Sequence, residues 1–169
     1  MKNLLGSIVV ASVCLFAGAA FAQSVSMPRS VPYAEDAEIT KKVRGECVLL
    51  NTQLADYTKQ FGNEFGVEVN LVDATTASDP GRVLLVEIVD AVSSGNAFIG
   101  HQKFSRIRGE LFEDGVRVAG FKASRNSMGG AFGGYKGSCS VLGRTMKALG
   151  KDVAMWLKAP SDDAELGDY

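Results

Sequence analysis

The feature that most constrains the fold is a β-hairpin predicted for residues 101–125. Residues 101–112 and 116–125 are rich in aromatic, β-branched and other strand-compatible side chains. They flank the dipeptide Asp114-Gly115, which is preferred in two-residue type I′ turns because both residues tolerate positive φ angles. The sequence therefore predicts two antiparallel strands joined by a tight turn.

A two-residue turn also predicts which residues face each other across the hairpin. One side would pair Leu111 with Val118, Gly109 with Gly120 and Ile107 with Lys122, and the other Phe112 with Arg117, Arg108 with Phe121 and Phe104 with Arg125. Each side mixes apolar with charged residues, so the sequence leaves open which one is buried. The arginines are either solvated side chains lying over phenylalanines or part of a sheet face open to a partner.

Two further strands and two helices are predicted around the hairpin. Residues 67–71 alternate apolar and polar, and residues 82–92 are apolar on both faces, which is typical of a central strand. Apolar residues at helical spacing predict one helix from about Asp36 to residue 65 and another over residues 142–157. The order α-β-β-β-β-α favours an α+β fold, with an antiparallel four-stranded sheet and two helices packed on one of its faces.

The first 22 residues have the pattern of a cleaved signal peptide. Lys2 precedes an apolar run over residues 4–20, and Ala20-Phe21-Ala22 matches a signal peptidase site. The run is short for a membrane span, so we expect no transmembrane segment in the mature chain. The prediction is a periplasmic protein with an extended leader (23–35), a single α+β domain (36–160) and a disordered acidic tail (161–169).

The two cysteines outside the predicted signal peptide are expected to form a disulfide. Cys47 and Cys139 would lie in an oxidising compartment after export. An even number of cysteines there favours a disulfide over two separately buried thiols. Two cysteines and His101, the single histidine, do not match the ligand spacing of a zinc site. We therefore predict a Cys47–Cys139 disulfide and no metal.

Residues 126–140 form a glycine-rich loop between the hairpin and the last helix. Five glycines accompany two aromatic residues there, and such glycine density indicates unusual backbone angles or close approach to another group. Three interpretations stay open: a structural crossover, a loop that binds a protein or polymer, and a cradle for an anion. The residues proposed to bind a partner are Gly133, Gly134, Phe132, Tyr135 and Lys136.

Charge and motif content argue against two classes of function. The chain has 18 Lys and Arg against 19 Asp and Glu, a net charge of −1, whereas nucleic-acid binding requires a strongly basic surface. His101 lies in no motif that would supply a nucleophile and an orienting acid. No motif for a nucleotide or other cofactor is present. We therefore predict no catalytic residues and no cofactor.

Three segments carry a resemblance to known proteins: residues 95–101 (GNAFIGH), 108–112 (RGELF) and 129–139 (GGAFGGYKGSC). They resemble a group of small exported proteobacterial proteins of unknown function. More loosely, the arrangement is similar to small envelope domains such as that of the curli secretion lipoprotein. This resemblance implies a bacterial periplasm and attaches no catalytic residues.

The sequence thus favours a non-enzymatic periplasmic binding or envelope-accessory protein. Its partner would be an envelope protein or polymer that contacts loop 126–140, and the oligomeric state is left open. The alternative is a small-ligand carrier with a pocket between the helices and the sheet.

We expect signal peptidase to cut after Ala22, because the small-x-small pattern ends there. The intact mass of the exported protein measures this. A lipid-modified N-terminus, or a retained Met1, would show that the leader is processed differently or not at all.

Overall fold

A computed structural model describes residues 24–96, 100–127 and 137–169, and the side chains of all of these except 94–96 and 100–102. The strands are β1 (Ser24–Pro28), β2 (Tyr33–Glu38), β3 (Glu68–Val72), β4 (Arg82–Asn96), β5 (Gly100–Glu113), β6 (Val116–Asn126) and β7 (Ala164–Gly167). The helices are α1 (Lys41–Glu46), α2 (Leu50–Phe65) and α3 (Ser138–Trp156).

The seven described strands form one mixed sheet. Its order is β3-β1-β4-β5-β6-β7, and β2 pairs with β4 along the same edge that β1 occupies. The β4–β5 and β5–β6 pairs are antiparallel, whereas β1–β3, β1–β4, β2–β4 and β6–β7 are parallel. The long strands β4, β5 and β6 thus form the centre, and the short strands extend it.

The α+β class is confirmed, but the predicted four-stranded antiparallel sheet with two helices is wrong in detail. The described chain has three helices, and three of its strands (β1, β2 and β7) were not predicted. These strands join the sheet through parallel pairs with residues far away in sequence, which no local pattern indicates. Strands β3 and β4 and the hairpin lie close to their predicted positions.

Helices and sheet share a single core on one face of the sheet. Helices α2 and α3 pack on each other, and α3 contacts β4, β5 and β6. Buried side chains from both layers fill the space between them: Leu54, Leu142, Met146 and Leu149 from the helices, and Leu84, Val86, Ile88, Ile107 and Leu111 from the strands. The opposite face of β4, β5 and β6 carries charged side chains, among them Glu87, Arg108, Glu110, Arg117 and Lys122.

A bulge in β6 decides which side of the hairpin is buried. The turn is as predicted, since Asp114 and Gly115 have φ angles of 48° and 86°. Phe112 pairs with Arg117 as predicted, but Leu111 pairs with Ala119, so Val118 is an extra residue. The predicted register beyond Phe112 is therefore wrong by one residue. The shift places Ala119, Phe121 and Ala123 opposite Leu111, Gly109 and Ile107 on the core face.

The predicted first helix is interrupted. Its first residues belong to β2, where Tyr33 pairs with Ile88 of β4. Thr40 then caps α1 by accepting a hydrogen bond from the Val43 backbone N–H, and α1 gives way to α2 after Cys47. The apolar stripe nevertheless lines the core, because Val43, Cys47, Leu50 and Leu54 are all buried.

The two ends of the described chain also differ from the expectation. An extended leader was predicted over 23–35, and the structure places β1 there between β3 and β4, with Val25 and Met27 buried. A disordered tail was predicted over 161–169, and β7 instead pairs with β6 there. Composition predicted disorder for these acidic residues, but ion pairs with arginines on the hairpin hold them in place.

Gly150 permits the close contact between α2 and α3. A Cβ atom at this position would lie 2.7 Å from the Tyr57 Cβ and 2.9 Å from the Thr58 backbone nitrogen. Both atoms belong to the rigid part of α2, so the helices would have to separate to accept a side chain. The close packing of α3 on α2 therefore depends on a glycine in the middle of α3.

We expect Gly150→Ala to destabilise the protein by about 1–3 kcal/mol through overpacking, although alanine is the better helix former. Urea unfolding measures the change. Gly45→Ala is the matched control, since a Cβ at Gly45 in α1 meets nothing within 4 Å and should raise the stability by up to about 1 kcal/mol. Equal gains in both variants would show that the helices tolerate a larger residue.

Candidate functional site

The predicted disulfide is present between Cys47 and Cys139, 92 residues apart. Cys47 is the residue that ends α1, rather than an interior residue of one long helix, and Cys139 is the second residue of α3. The bond therefore joins the α1–α2 turn to the N-terminus of α3. It fixes the position at which the glycine-rich loop enters the last helix.

The residues predicted to bind a partner are not among those described. Phe132, Gly133, Gly134, Tyr135 and Lys136 all lie within 128–136, outside the described ranges. The structure does describe the residues on either side, at the end of β6 and the start of α3. Those flanking residues define the frame from which the loop extends.

The end of β6 is held by a network centred on Arg125. Its guanidinium donates to both carboxylate oxygens of Asp152 in α3, each at 2.7 Å, and to Asp168 at 2.9 Å. Asp168 also accepts from the Asn126 backbone N–H at 2.8 Å. The hydrogen bonds with Asp152, and further the Asp168 charge, raise the pKa of Arg125. The strand that leads into the loop is thus tied to both α3 and the chain after β7.

The start of α3 is held differently, by a covalent bond instead of a side-chain cap. The N-cap residue is Gly137, and no side-chain hydrogen bond caps the helix. The disulfide at Cys139 fixes the first turn in place of a cap. Both flanks of the glycine-rich loop are therefore attached to the folded body.

Two exposed apolar residues lie next to this disulfide. Val48 and Leu49 fill the turn between α1 and α2 and are 63% and 61% exposed. Their exposure was not predicted, because the apolar periodicity placed this region inside a helix. The signal was available: residues 47–50 are four consecutive apolar residues, and a helix in contact with one core cannot bury all of them.

The opposite face of the sheet holds a cleft of about 610 Å³ with a charged lining. Arg108 donates to Glu87 at 2.9 Å and to Asp36 at 3.2 Å, and Arg117 bridges Glu110 and Asp162. The further lining residues are Leu85, Gly109, Gly120, Phe121, Lys122, Asp163, Ala164 and Glu165. The arginines of the hairpin thus have carboxylate partners within the chain.

These ion pairs stabilise the charged forms of their members. Hydrogen bonds, to Asp162 first and to Glu110 second, raise the pKa of Arg117. The same contact with Arg117 lowers the pKa of Asp162. Hydrogen bonding to Glu87 raises the pKa of Arg108. A ligand that bound this face would have to compete with contacts that already exist.

A carrier pocket between the helices and the sheet has no support in the described residues. The side chains that meet there, among them Leu54, Met146 and Leu111, are fully buried in one core. The larger cleft lies on the other face, and a second, of about 510 Å³, lies at the sheet edge between the end of α3 and β7. The layer in which the carrier hypothesis placed a ligand is filled by protein.

In residues 24–96, 100–127 and 137–169, no group of three His, Cys, Asp or Glu is placed to hold a metal ion. No helix within these ranges has the length and apolar character to span a membrane.

Comparison with known proteins gives no family. No protein-family model matches the chain, and no curated protein matches it. Structural matches include the PelC dodecamer from Paraburkholderia phytofirmans (10% identity, TM-score 0.46, 77% of this chain and 87% of that chain). Others are a lipoprotein from Neisseria meningitidis (12%, 0.47, 75% and 94%) and a minor lipoprotein from Acinetobacter baumannii (11%, 0.43, 82% and 92%). These likenesses carry no argument about function, and the curli resemblance stays a prediction.

We expect the disulfide to contribute about 4–5 kcal/mol of stability, because closing a loop of this length restricts the unfolded chain. Urea unfolding of the oxidised and the reduced wild type measures the difference without altering the packing around Cys47. Peptide mapping without reduction identifies the pair. Equal unfolding midpoints, or thiols that label freely in the oxidised protein, would contradict this expectation.

Proposed function

We propose that this protein is a non-enzymatic binding or accessory protein of the bacterial periplasm, and that loop 126–140 contacts its partner. One observation carries the proposal: both flanks of the loop are attached to the folded body, by the Arg125 network and by the disulfide. A loop displayed from a fixed frame loses less conformational entropy on binding. The disulfide and the signal-peptide pattern both support an oxidising compartment outside the cytoplasm.

The exposed pair Val48 and Leu49 extends the proposed contact surface. The turn that carries them adjoins Cys47, and Cys47 is bonded to Cys139 at the far flank of the loop. Val48 and Leu49 are adjacent in sequence and each has about three fifths of its surface in water, so together they present a small apolar patch beside the loop's far flank. The partner would therefore meet an apolar turn together with Phe132 and Tyr135 of the loop.

The partner's chemistry follows from this composition. The residues of the proposed surface include the aromatic Phe132 and Tyr135 and the aliphatic Val48 and Leu49, and such anchors supply most of the binding energy in protein interfaces. An envelope protein with an apolar pocket fits better than a charged polymer. The acidic and basic groups of the open sheet face are paired with one another, so they add little to recognition.

Replacing Phe132 and Tyr135 together by alanine tests the loop. We expect the melting temperature to stay nearly unchanged while capture of the partner from periplasmic extract is lost, because exposed anchors contribute to binding rather than to packing. A loss of several kcal/mol of stability would instead mean that the rings fill the core, and would end the binding-loop proposal.

Photocrosslinking tests the exposed turn by a separate route. With p-benzoylphenylalanine in place of Leu49, we expect a specific adduct in periplasm that the loop double variant abolishes. The matched control carries the same group in place of Val116, which is 65% exposed at the hairpin turn. Identical adducts from both positions would argue against a defined contact surface around the disulfide.

A further inference from the structure

The helices hold a disproportionate share of the positive charge of this protein. The segments that form them, 41–66 and 138–158, contain 8 of the 18 Lys and Arg but only 4 of the 19 Asp and Glu. One of those acids, Asp152, is already bound by Arg125 of the sheet. The helical side of the molecule is therefore cationic, whereas the rest of the chain has an excess of acids.

Four cations of the last helical segment have no anionic partner. Within the described chain, no carboxylate pairs with Arg144, Lys147, Lys151 or Lys158, whereas the hairpin arginines are all paired. The Lys147 and Lys158 ammonium groups lie instead over aromatic rings of α2, 5.8 and 5.9 Å from the ring centroids. Folding thus pairs the arginines of the sheet and leaves these four charges for another molecule.

The same four cations form one exposed stripe, which we call the α3 stripe: Arg144, Lys147, Lys151 and Lys158. At 3.6 residues per turn they point within about 60° of one another, and they extend over about 21 Å. Met155 lies on the same side of the helix and is 54% exposed. The one acid of α3, Asp152, lies beside the stripe and is bound by Arg125. The stripe therefore combines exposed cations with an exposed apolar side chain and holds no free carboxylate.

We propose that the α3 stripe binds a membrane surface that contains anionic phospholipid headgroups. Basic side chains near such a surface each strengthen binding about fivefold, and an apolar side chain among them enters the boundary between headgroups and acyl chains. Because the rest of the chain is acidic, the same surface repels the other faces and orients the helices toward the lipid. None of the four cations lines either of the two described clefts, so a flat surface fits the stripe better than a small anion does.

This surface is separate from the contact proposed above. The α3 stripe shares no residue with loop 126–140 or with the turn that carries Val48 and Leu49. Loss of membrane binding would therefore leave the protein contact intact, and loss of the loop aromatics would leave membrane binding intact.

Sedimentation with vesicles tests the proposal on the exported protein. We expect binding to phosphatidylglycerol mixed with phosphatidylcholine and none to phosphatidylcholine alone. Replacing Lys147, Lys151 and Lys158 together by glutamine keeps the helix propensity and removes three charges, so the partition coefficient should fall about a hundredfold. Raising the ionic strength from about 0.1 M to about 1 M should also abolish binding, because the Debye length falls from about 10 Å to about 3 Å.

The matched control removes the same number of charges away from the stripe. It carries glutamine in place of Lys41, Lys42 and Lys122, which are all exposed. We expect its partition coefficient to fall less than about tenfold. An equal loss in both triple variants would show a general effect of net charge and would contradict the proposal.

Methionine methyl signals in NMR spectra of the wild type locate the contact without any variant. With a spin-labelled lipid headgroup in the anionic vesicles, the Met155 signal should broaden, while that of Met146, which is fully buried, should not. Broadening of Met128, in the glycine-rich loop, without broadening of Met155 would place the membrane contact elsewhere and overturn the proposal.

Two other occupants of the stripe have their own readouts. Binding to soluble heparin that depends on the stripe, with none to vesicles, would assign the stripe to an anionic polymer. Self-association that the stripe variant abolishes, again with no vesicle binding, would assign it to a second copy of this chain. Either result, or equal binding to the two kinds of vesicle, would overturn the membrane assignment.

Discussion

The antiparallel pairing of β4, β5 and β6 is the interaction on which the rest of the structure depends. These strands give α3 its surface, β4 accepts β1 and β2 along one edge, and β6 accepts β7 along the other. Two bulges, at Val89 and Val118, set the phase of the side chains, because each extra residue moves all later ones to the other face. The bulges therefore decide that Ile107, Leu111 and Phe121 meet the helices while Arg108 and Lys122 face water.

How far the sequence predicts this fold depends on the range of the interaction concerned. Local signals sufficed for the hairpin turn at Asp114-Gly115, for β4 and for most of α2 and α3. Strand pairs between residues far apart in sequence were not predicted. The short strand β1 is stabilised by pairing with β3 and β4, and β7 is stabilised by pairing with β6. The bulge at Val118 is likewise invisible, since it is favoured by the core that it creates and not by the residue itself.

Some features of the candidate site were likewise predictable from the sequence, and others were not. The Cys47–Cys139 pair was predictable, because the two cysteines outside the predicted signal peptide offer only one intramolecular disulfide. The exposure of Val48 and Leu49 was not predicted, since it depends on where α1 gives way to α2.

Whether charged side chains are already paired indicates where a partner would bind better than the number of charges does. The arginines of the hairpin suggest from the sequence a face open to a partner. In the structure, however, they form ion pairs within the chain: Arg106 with Asp90, Arg108 with Glu87 and Arg117 with Glu110. An anion that approached this face would have to displace carboxylates already held at 2.6–2.9 Å. The N-terminal end of α3 carries the disulfide, and the exposed turn of Val48 and Leu49 adjoins Cys47 there. Binding at that end would leave the ion pairs intact, whereas binding at the arginines would first have to break them.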